Sequence, residues 1–207
     1  MVLKIGITGG IGSGKTTVCK LFEELGIPVY YADTQAKYLM SNDEKLIAQI
    51  KELFGEEAYH YTGLLNRAHI AKIAFSDQSK LEQLNRLVHP AVATDSLAWH
   101  NAQQEVPYTL KEAALLYESG SYKALDKIIT VTAPEAIRIE RVMKRDQVEE
   151  AAVRARMEKQ LPETYKVEQA DFVIHNDGTQ SLITQVLAIH QQLLALTAKL
   201  NGDHDKV

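Results

Sequence analysis

The chain has 207 residues, 45% apolar and 24% charged, a length and balance that suit one α/β domain carrying small insertions. A formal net charge of −4 gives no global attraction for nucleic acid or an anionic membrane, so any affinity for phosphate must be local. The single cysteine, Cys19, excludes an internal disulfide or a cysteine metal cluster, and no apolar run is long enough to span a bilayer. The seven histidines have no metal-ligand spacing. The first apolar run starts at residue 2, so the expectation is of no signal peptide and a reducing cytoplasmic setting.

Residues 2–8 form a short apolar run rich in β-branched side chains, a first strand. Residues 17–25 place Val18, Leu21, Phe22 and Leu25 at helical spacing. Between them stands Gly9-Gly10-Ile11-Gly12-Ser13-Gly14-Lys15-Thr16, the pattern G-x-x-x-x-G-K-[ST] in its strand–loop–helix setting. Glycines let backbone N–H groups converge on phosphate oxygens, and the helix start adds partial positive charge. Lys15 suits the β- and γ-phosphates and the Thr16 hydroxyl suits Mg²⁺. A dinucleotide fingerprint fits less well, because Lys15 stands where its third glycine belongs. The loop is read as binding a nucleoside triphosphate.

Gly26 ends the first helix, and Val29-Tyr30-Tyr31 reads as a second strand finishing at Ala32-Asp33. Ligands of open α/β sheets gather beyond the carboxyl ends of strands, so Asp33 is a candidate for the same cleft as the loop, or an N-cap of the next helix. Three helices, 44–54, 67–75 and 78–87, follow without a strand, which marks 43–88 as a helical insertion. His89-Pro90 breaks that pattern, and Pro90 opens a new helix over 91–100.

Residues 106–110 read as a third strand delivering Glu112 to its end, either a carboxylate near Mg²⁺ or an exposed strand-end acid. Residues 127–131 are a fourth strand, and Thr132 with Glu135 has capping-box spacing. The helix from 134 to 146 puts Arg138, Arg141 and Arg145 on one face, as a phosphoryl-stabilising stripe or a solvated one. A charged helix over 149–160, ending at Pro162, completes a lid, 138–165. Residues 171–175 are a fifth strand, 179–200 a long amphipathic helix and 201–207 a flexible polar tail. The alternation gives an α/β fold, a five-stranded parallel sheet with helices on both faces. Its core is 1–42, 89–137 and 166–200.

A switch GTPase would need Asn-Lys-x-Asp and Asp-x-x-Gly segments, and neither occurs here. A small-molecule kinase remains, with Asp33 as the carboxylate that orients the attacking hydroxyl. Thr8-Gly-Gly-Ile-Gly-Ser-Gly-Lys-Thr-Thr17, Ala32-Asp33, Leu84-Asn85-x-x-x-His89-Pro90 and Leu115-Leu116-Tyr117-Glu118 resemble the dephospho-CoA kinase family. So do Arg141-x-x-x-Arg145-Asp146, Gln160 and Ala170-Asp171-Phe172-Val173-Ile174-x-Asn176.

The resemblance implies a P-loop NTPase fold like that of the nucleoside-monophosphate kinases, with helical insertion and lid. It implies transfer of the ATP γ-phosphate to the ribose 3′-hydroxyl of dephospho-CoA, with Mg²⁺ as cofactor. Gly10, Ile11, Gly12, Ser13, Gly14, Lys15, Thr16 and Thr17 would bind ATP, with Arg145 on its phosphates and Asn176 beside adenine. Asp33, Lys15 and Arg141 would be catalytic, and Thr16 and Glu112 would serve the metal. Asp33, Leu115, Glu118 and His89 would meet the acceptor beside the helical insertion, His89 having a buried, hydrogen-bonded role as its alternative. Tyr31 stands where the family often has an acid, Ala114 where it has proline and Tyr117 where it has phenylalanine. The expected partners are ATP and dephospho-CoA, with no nucleic acid, membrane or obligate protein partner. Another small-molecule or nucleoside-monophosphate kinase and a non-catalytic ATP sensor stay open as alternatives.

Overall fold

A computed structural model describes residues 1–204, apart from the side chains of Phe75, Asp203 and His204. Strands β1 (Leu3–Thr8), β2 (Val29–Tyr31), β3 (Tyr108–Glu112), β4 (Lys127–Thr132) and β5 (Phe172–His175) make one sheet in the order β2-β3-β1-β4-β5. Every neighbouring pair is parallel, as the alternation of elements led one to expect. Helix α1 (Lys15–Glu24) carries the chain from β1 to β2 on one edge. Helices α6 (Glu135–Asp146), α7 (Glu150–Met157) and α8 (Glu163–Glu168) carry it from β4 to β5 on the other. The chain therefore leaves β1 and β4 in opposite directions, which opens a crevice beyond their carboxyl ends.

Parallel strands covered on both faces read as apolar runs. On one face Ile5, Ile7, Leu110, Ile129 and Ile174 are sealed by Val18, Cys19 and Phe22 of α1 and by Val186, Ile189 and Leu193 of α9 (Leu182–His204). Tyr108 donates or accepts at His190 Nδ1 of α9, 2.6 Å away, and burial pushes its phenol above the ordinary range. On the other face Gly6 leaves room for Leu125 and Leu116, whose methyls lie 2.6 and 2.8 Å from where a Cβ would stand. There too the Thr130 hydroxyl donates to the carbonyl of Lys166 in α8 at 3.0 Å. Cys19 is buried and its thiol is pushed up by that burial, with Glu112 and Glu23 adding to the shift, so it packs as a small protonated residue.

The chain divides into two compact units, Met1–Tyr31 with His100–Val207, and Ala32–Trp99. The second unit holds α2 (Ala32–Asn42), α3 (Glu44–Phe54), α4 (Arg67–Ser76) and most of α5 (Gln78–Asn101), and contains the segment 43–88. Asp43 caps α3 by accepting from the Leu46 N–H, and Asn66 caps α4 by accepting from that of His69. Leu46, Ile50 and Phe54, spaced four apart, are the buried stripe of α3. The hydroxyl of Tyr59 donates to the Met40 carbonyl at 2.7 Å.

Several expected boundaries move. Helix α5 runs through Pro90 instead of breaking there: Val88 and Val92, one turn apart and both buried, hold the helix across the missing N–H. Strand β3 starts at Tyr108, two residues late, because Pro107 has no N–H to give the ladder; its carbonyl accepts from Leu3 instead. The capping box at Thr132 does not form; Pro134 is the N-cap of α6 and Glu135 pairs with Arg154 at 2.7 Å. Pro162 ends nothing but opens α8, and α7 is shorter than 149–160. Thr179 belongs to a turn in which Asp177 accepts from its N–H and hydroxyl, so α9 starts at Leu182. Helix α9 also continues through Asn201–His204, which were expected in the tail, and 205–207 lie outside the described residues. Among the described residues no helix is long and apolar enough to cross a membrane.

Candidate active site

The loop between β1 and α1 owes its shape to three glycines with positive φ, Gly9 at 150°, Gly12 at 81° and Gly14 at 95°. Sterics demand glycine as firmly as torsion does. A Cβ on Gly9 would overlap the carbonyl of Val131 at the end of β4, and one on Gly12 would overlap that of Arg138. A Cβ on Gly14 would overlap the Asn176 amide nitrogen. The loop is thus pressed into the crevice between β1 and β4 by backbone and side chains from three later segments. Lys15 Nζ folds back to donate to the Gly9 carbonyl at 2.9 Å and lies 3.5 Å from that of Gly10. Helix α1 begins at Lys15, so its first N–H groups have no intrahelical acceptor and their partial positive charge faces the loop. Thr16 and Thr17 are exposed on that first turn.

Around this cradle the later segments supply a braced polar shell. Asn176, expected beside a base, donates its side-chain amide to the Ser13 carbonyl at 2.8 Å. Arg141 Nη2 donates in turn to the Asn176 carbonyl at 3.0 Å, while its Nη1 is buried without a hydrogen-bond partner. Such a buried, unsatisfied guanidinium nitrogen is suited to an anion. Ile11 inserts its side chain into the apolar cluster of Ile139, Val142 and Val153 that joins α6 to α7. Its N–H donates to Gln160 Oε1 at 2.8 Å, and that of Gly10 donates to Glu163 Oε2 at 3.2 Å.

The arginines do not form one solvent-facing stripe. Arg138 is buried and pairs with Glu163 at 3.4 Å, Arg141 is half-buried against Asn176, and Arg145 is exposed and paired with Asp146 at 2.7 Å. Arg145 and Arg156 together hold the Asp146 carboxyl down at about 2. The helical turn explains the difference: three- and four-residue steps share a face, yet the first turn of α6 is wedged under the loop and the last is free.

Glu112 is buried at the end of β3, opposite Ile7 of β1 and Tyr31 of β2, which corrects the alternative of an exposed acid. Leu115 is 44% exposed, whereas Leu116 and Tyr117 are buried. Glu118 accepts from Lys166 Nζ at 2.8 Å and from the Leu161 N–H at 2.9 Å. In the second unit Asp33 is exposed on the first turn of α2, inside the helix and not at its cap. His89 is exposed on α5, which overturns its buried alternative.

Sequence reasoning missed Glu163 and Lys166. The available signal was Pro162 followed by Glu163, a proline-then-acid helix start, but α8 has six residues and is too short for apolar periodicity to declare it.

The cradle, Lys15, the buried Arg141 nitrogen and the hard oxygen donors of Thr16 and Glu112 suit a magnesium-bound triphosphate. A family model described as dephospho-CoA kinase matches residues 3–181. A dephospho-CoA kinase of Salinibacter ruber is 46% identical over 177 residues, 84% of this chain and 89% of that protein. One from Chlorobaculum tepidum is 41% identical over 201 residues, 94% of this chain and 96% of its own. The solved structure of TT1252 from Thermus thermophilus superposes with a TM-score of 0.82 at 35% identity, covering 93% of this chain and 98% of that one. The chain belongs to the dephospho-CoA kinase family.

Proposed function

We propose that the protein transfers the γ-phosphoryl group of ATP to the ribose 3′-hydroxyl of dephospho-CoA, giving CoA and ADP, and that it works in the cytoplasm. The observation that carries this reading is the family match over residues 3–181 falling on a chain whose β1–α1 loop has phosphate-cradling geometry.

Residues 10–17 bind the triphosphate, with Lys15 turning from its carbonyl partners to the β- and γ-phosphates. Arg141 Nη1 meets developing charge on the transferring group, Arg145 leaves Asp146 for the phosphates, and Asn176 lies beside adenine while bracing Ser13. Thr16 and Glu112 would hold Mg²⁺ through oxygen, and the ion would supply charge neutralisation to the triphosphate. Residues 43–88, with His89, Leu115 and Glu118, receive dephospho-CoA, and 138–165 serve as the lid. Asp33 orients the 3′-hydroxyl and takes its proton as that oxygen bonds to γ-phosphorus and the bond to the β,γ-bridging oxygen breaks. Its exposure on α2 leaves the carboxylate accessible to a substrate.

The test is a steady-state assay of ADP release with Mg²⁺, ATP and dephospho-CoA. Acceptor-dependent ADP with a product of CoA mass is expected; ADP release that ignores the acceptor would overturn the reading.

A further inference from the structure

We infer that Arg138 and Glu163 form a buried positioning pair that sets the first turn of the phosphate loop, and that Arg138 does not touch the nucleotide. The inference deepens the proposed ATP site and rests on that reading. Glu163 Oε2 does two things at once: it accepts the Gly10 N–H at 3.2 Å and lies 3.4 Å from Arg138 Nη1. The side chains are 8% and 19% exposed, and a Cβ on Gly10 would overlap Arg138 Nη1 and lie 2.5 Å from Glu163 Oε2. Arg138 touches the loop a second time, because its main-chain carbonyl occupies the space a Cβ on Gly12 would need. Arg138 Nε and Glu163 Oε1 are buried without hydrogen-bond partners, so each charge depends chiefly on the other for compensation.

This arrangement solves an electrostatic problem. A carboxylate beside a triphosphate site repels the ligand, yet a carboxylate is a strong acceptor for fixing the Gly10 amide. Arg138 cancels the charge from within the protein and leaves the hydrogen bond in place. The neighbouring Gln160 holds the Ile11 N–H at 2.8 Å with a neutral oxygen and needs no such counter-charge. Arg141, with its buried and unpartnered Nη1, is left to face the ligand, with Arg145 beyond it at the free end of α6.

Three variants separate this from direct phosphate contact by Arg138. ATP binding is measured by calorimetry without acceptor on the full chain, with a thermal melt of each protein. Arg138→Met should weaken ATP about tenfold or more by leaving Glu163 uncompensated, and Arg138→Met/Glu163→Gln, which removes both charges and keeps an acceptor oxygen, should recover to about threefold of the parent. Glu163→Ala should weaken ATP by about tenfold through the freed Gly10 amide, although it liberates a cation beside the site. A double variant as weak as Arg138→Met, or a Glu163→Ala protein that binds ATP more tightly, would assign Arg138 to the nucleotide and overturn the pair. If Arg138→Met does not fold, the Glu163→Ala sign still decides. Variants that lose only melting temperature, with ATP affinity intact, would reduce the pair to packing and also overturn it. A parent protein that binds no ATP would sink the donor site itself, a result distinct from all of these.

Discussion

Gly12 holds φ at 81° with the Arg138 carbonyl in the space of its missing Cβ. Gly12→Ala therefore strains the backbone and forces the loop off the first turn of α6, at about 1–3 kcal/mol, and should also abolish ATP binding. Melting and ATP titration of the same preparation check this; a variant that binds ATP normally would mean that the loop has slack. Asp33 acts at a different step. Asp33→Asn should lower kcat by about 10²–10⁴ with little change in KM for ATP, because the amide keeps the shape and loses the proton acceptor. A near-normal kcat in steady-state assays would remove Asp33 from the base role. Asp146 offers a pH test. Its folded value is depressed to about 2 by Arg145 and Arg156, so its contribution to stability is complete above the ordinary carboxylate value and is lost as pH falls through the folded one. An NMR titration of its carboxyl should find a midpoint near that value, moving up toward the ordinary range in Arg145→Ala/Arg156→Ala.

At the scale of elements, the segment from Gln160 to Lys166 does more than its length suggests. Gln160 and Glu163 hold the loop, and three residues on, Lys166, fully buried, reaches Glu118 after β3. Lys166→Met leaves the partly buried Glu118 carboxylate without its cation and should cost about 3 kcal/mol, with Lys166→Met/Glu118→Gln recovering much of it. Chemical denaturation of both proteins checks the coupling; equal losses would make the ion pair irrelevant. The sequence could not announce this segment. A six-residue helix has no readable period, and a buried lysine looks like any surface lysine until its partner, 48 positions away in the chain, is located. Pro90 misled in the opposite direction, because a proline cost can be met by packing on either side, here from Val88 and Val92. Strand β2 and helix α3 were readable for the converse reason. Val29–Tyr31 and the 44–54 helix depend on local composition and nearest neighbours, and the structure has them where residue order puts them.

For the whole molecule, the parallel sheet followed from strand–helix alternation, while its order, β2-β3-β1-β4-β5, rests on long-range pairing that alternation alone does not specify. The phosphate loop was legible because an eight-residue motif encodes a backbone shape. Its bracing by Asn176, Arg138, Gln160 and Glu163 was not legible as geometry, since those residues lie more than a hundred positions downstream and meet the loop only from the crossover between β4 and β5 and from the end of β5. The acceptor lies furthest from local physics: nothing in a cradle for phosphate names the hydroxyl that receives it, and family membership carries that step. The most direct test offers the purified protein Mg²⁺ and ATP with dephospho-CoA, AMP, CMP or shikimate in separate reactions, following ADP. Rapid ADP and CoA with dephospho-CoA alone is the expected result; comparable turnover with another acceptor, or none with dephospho-CoA, would contradict the account.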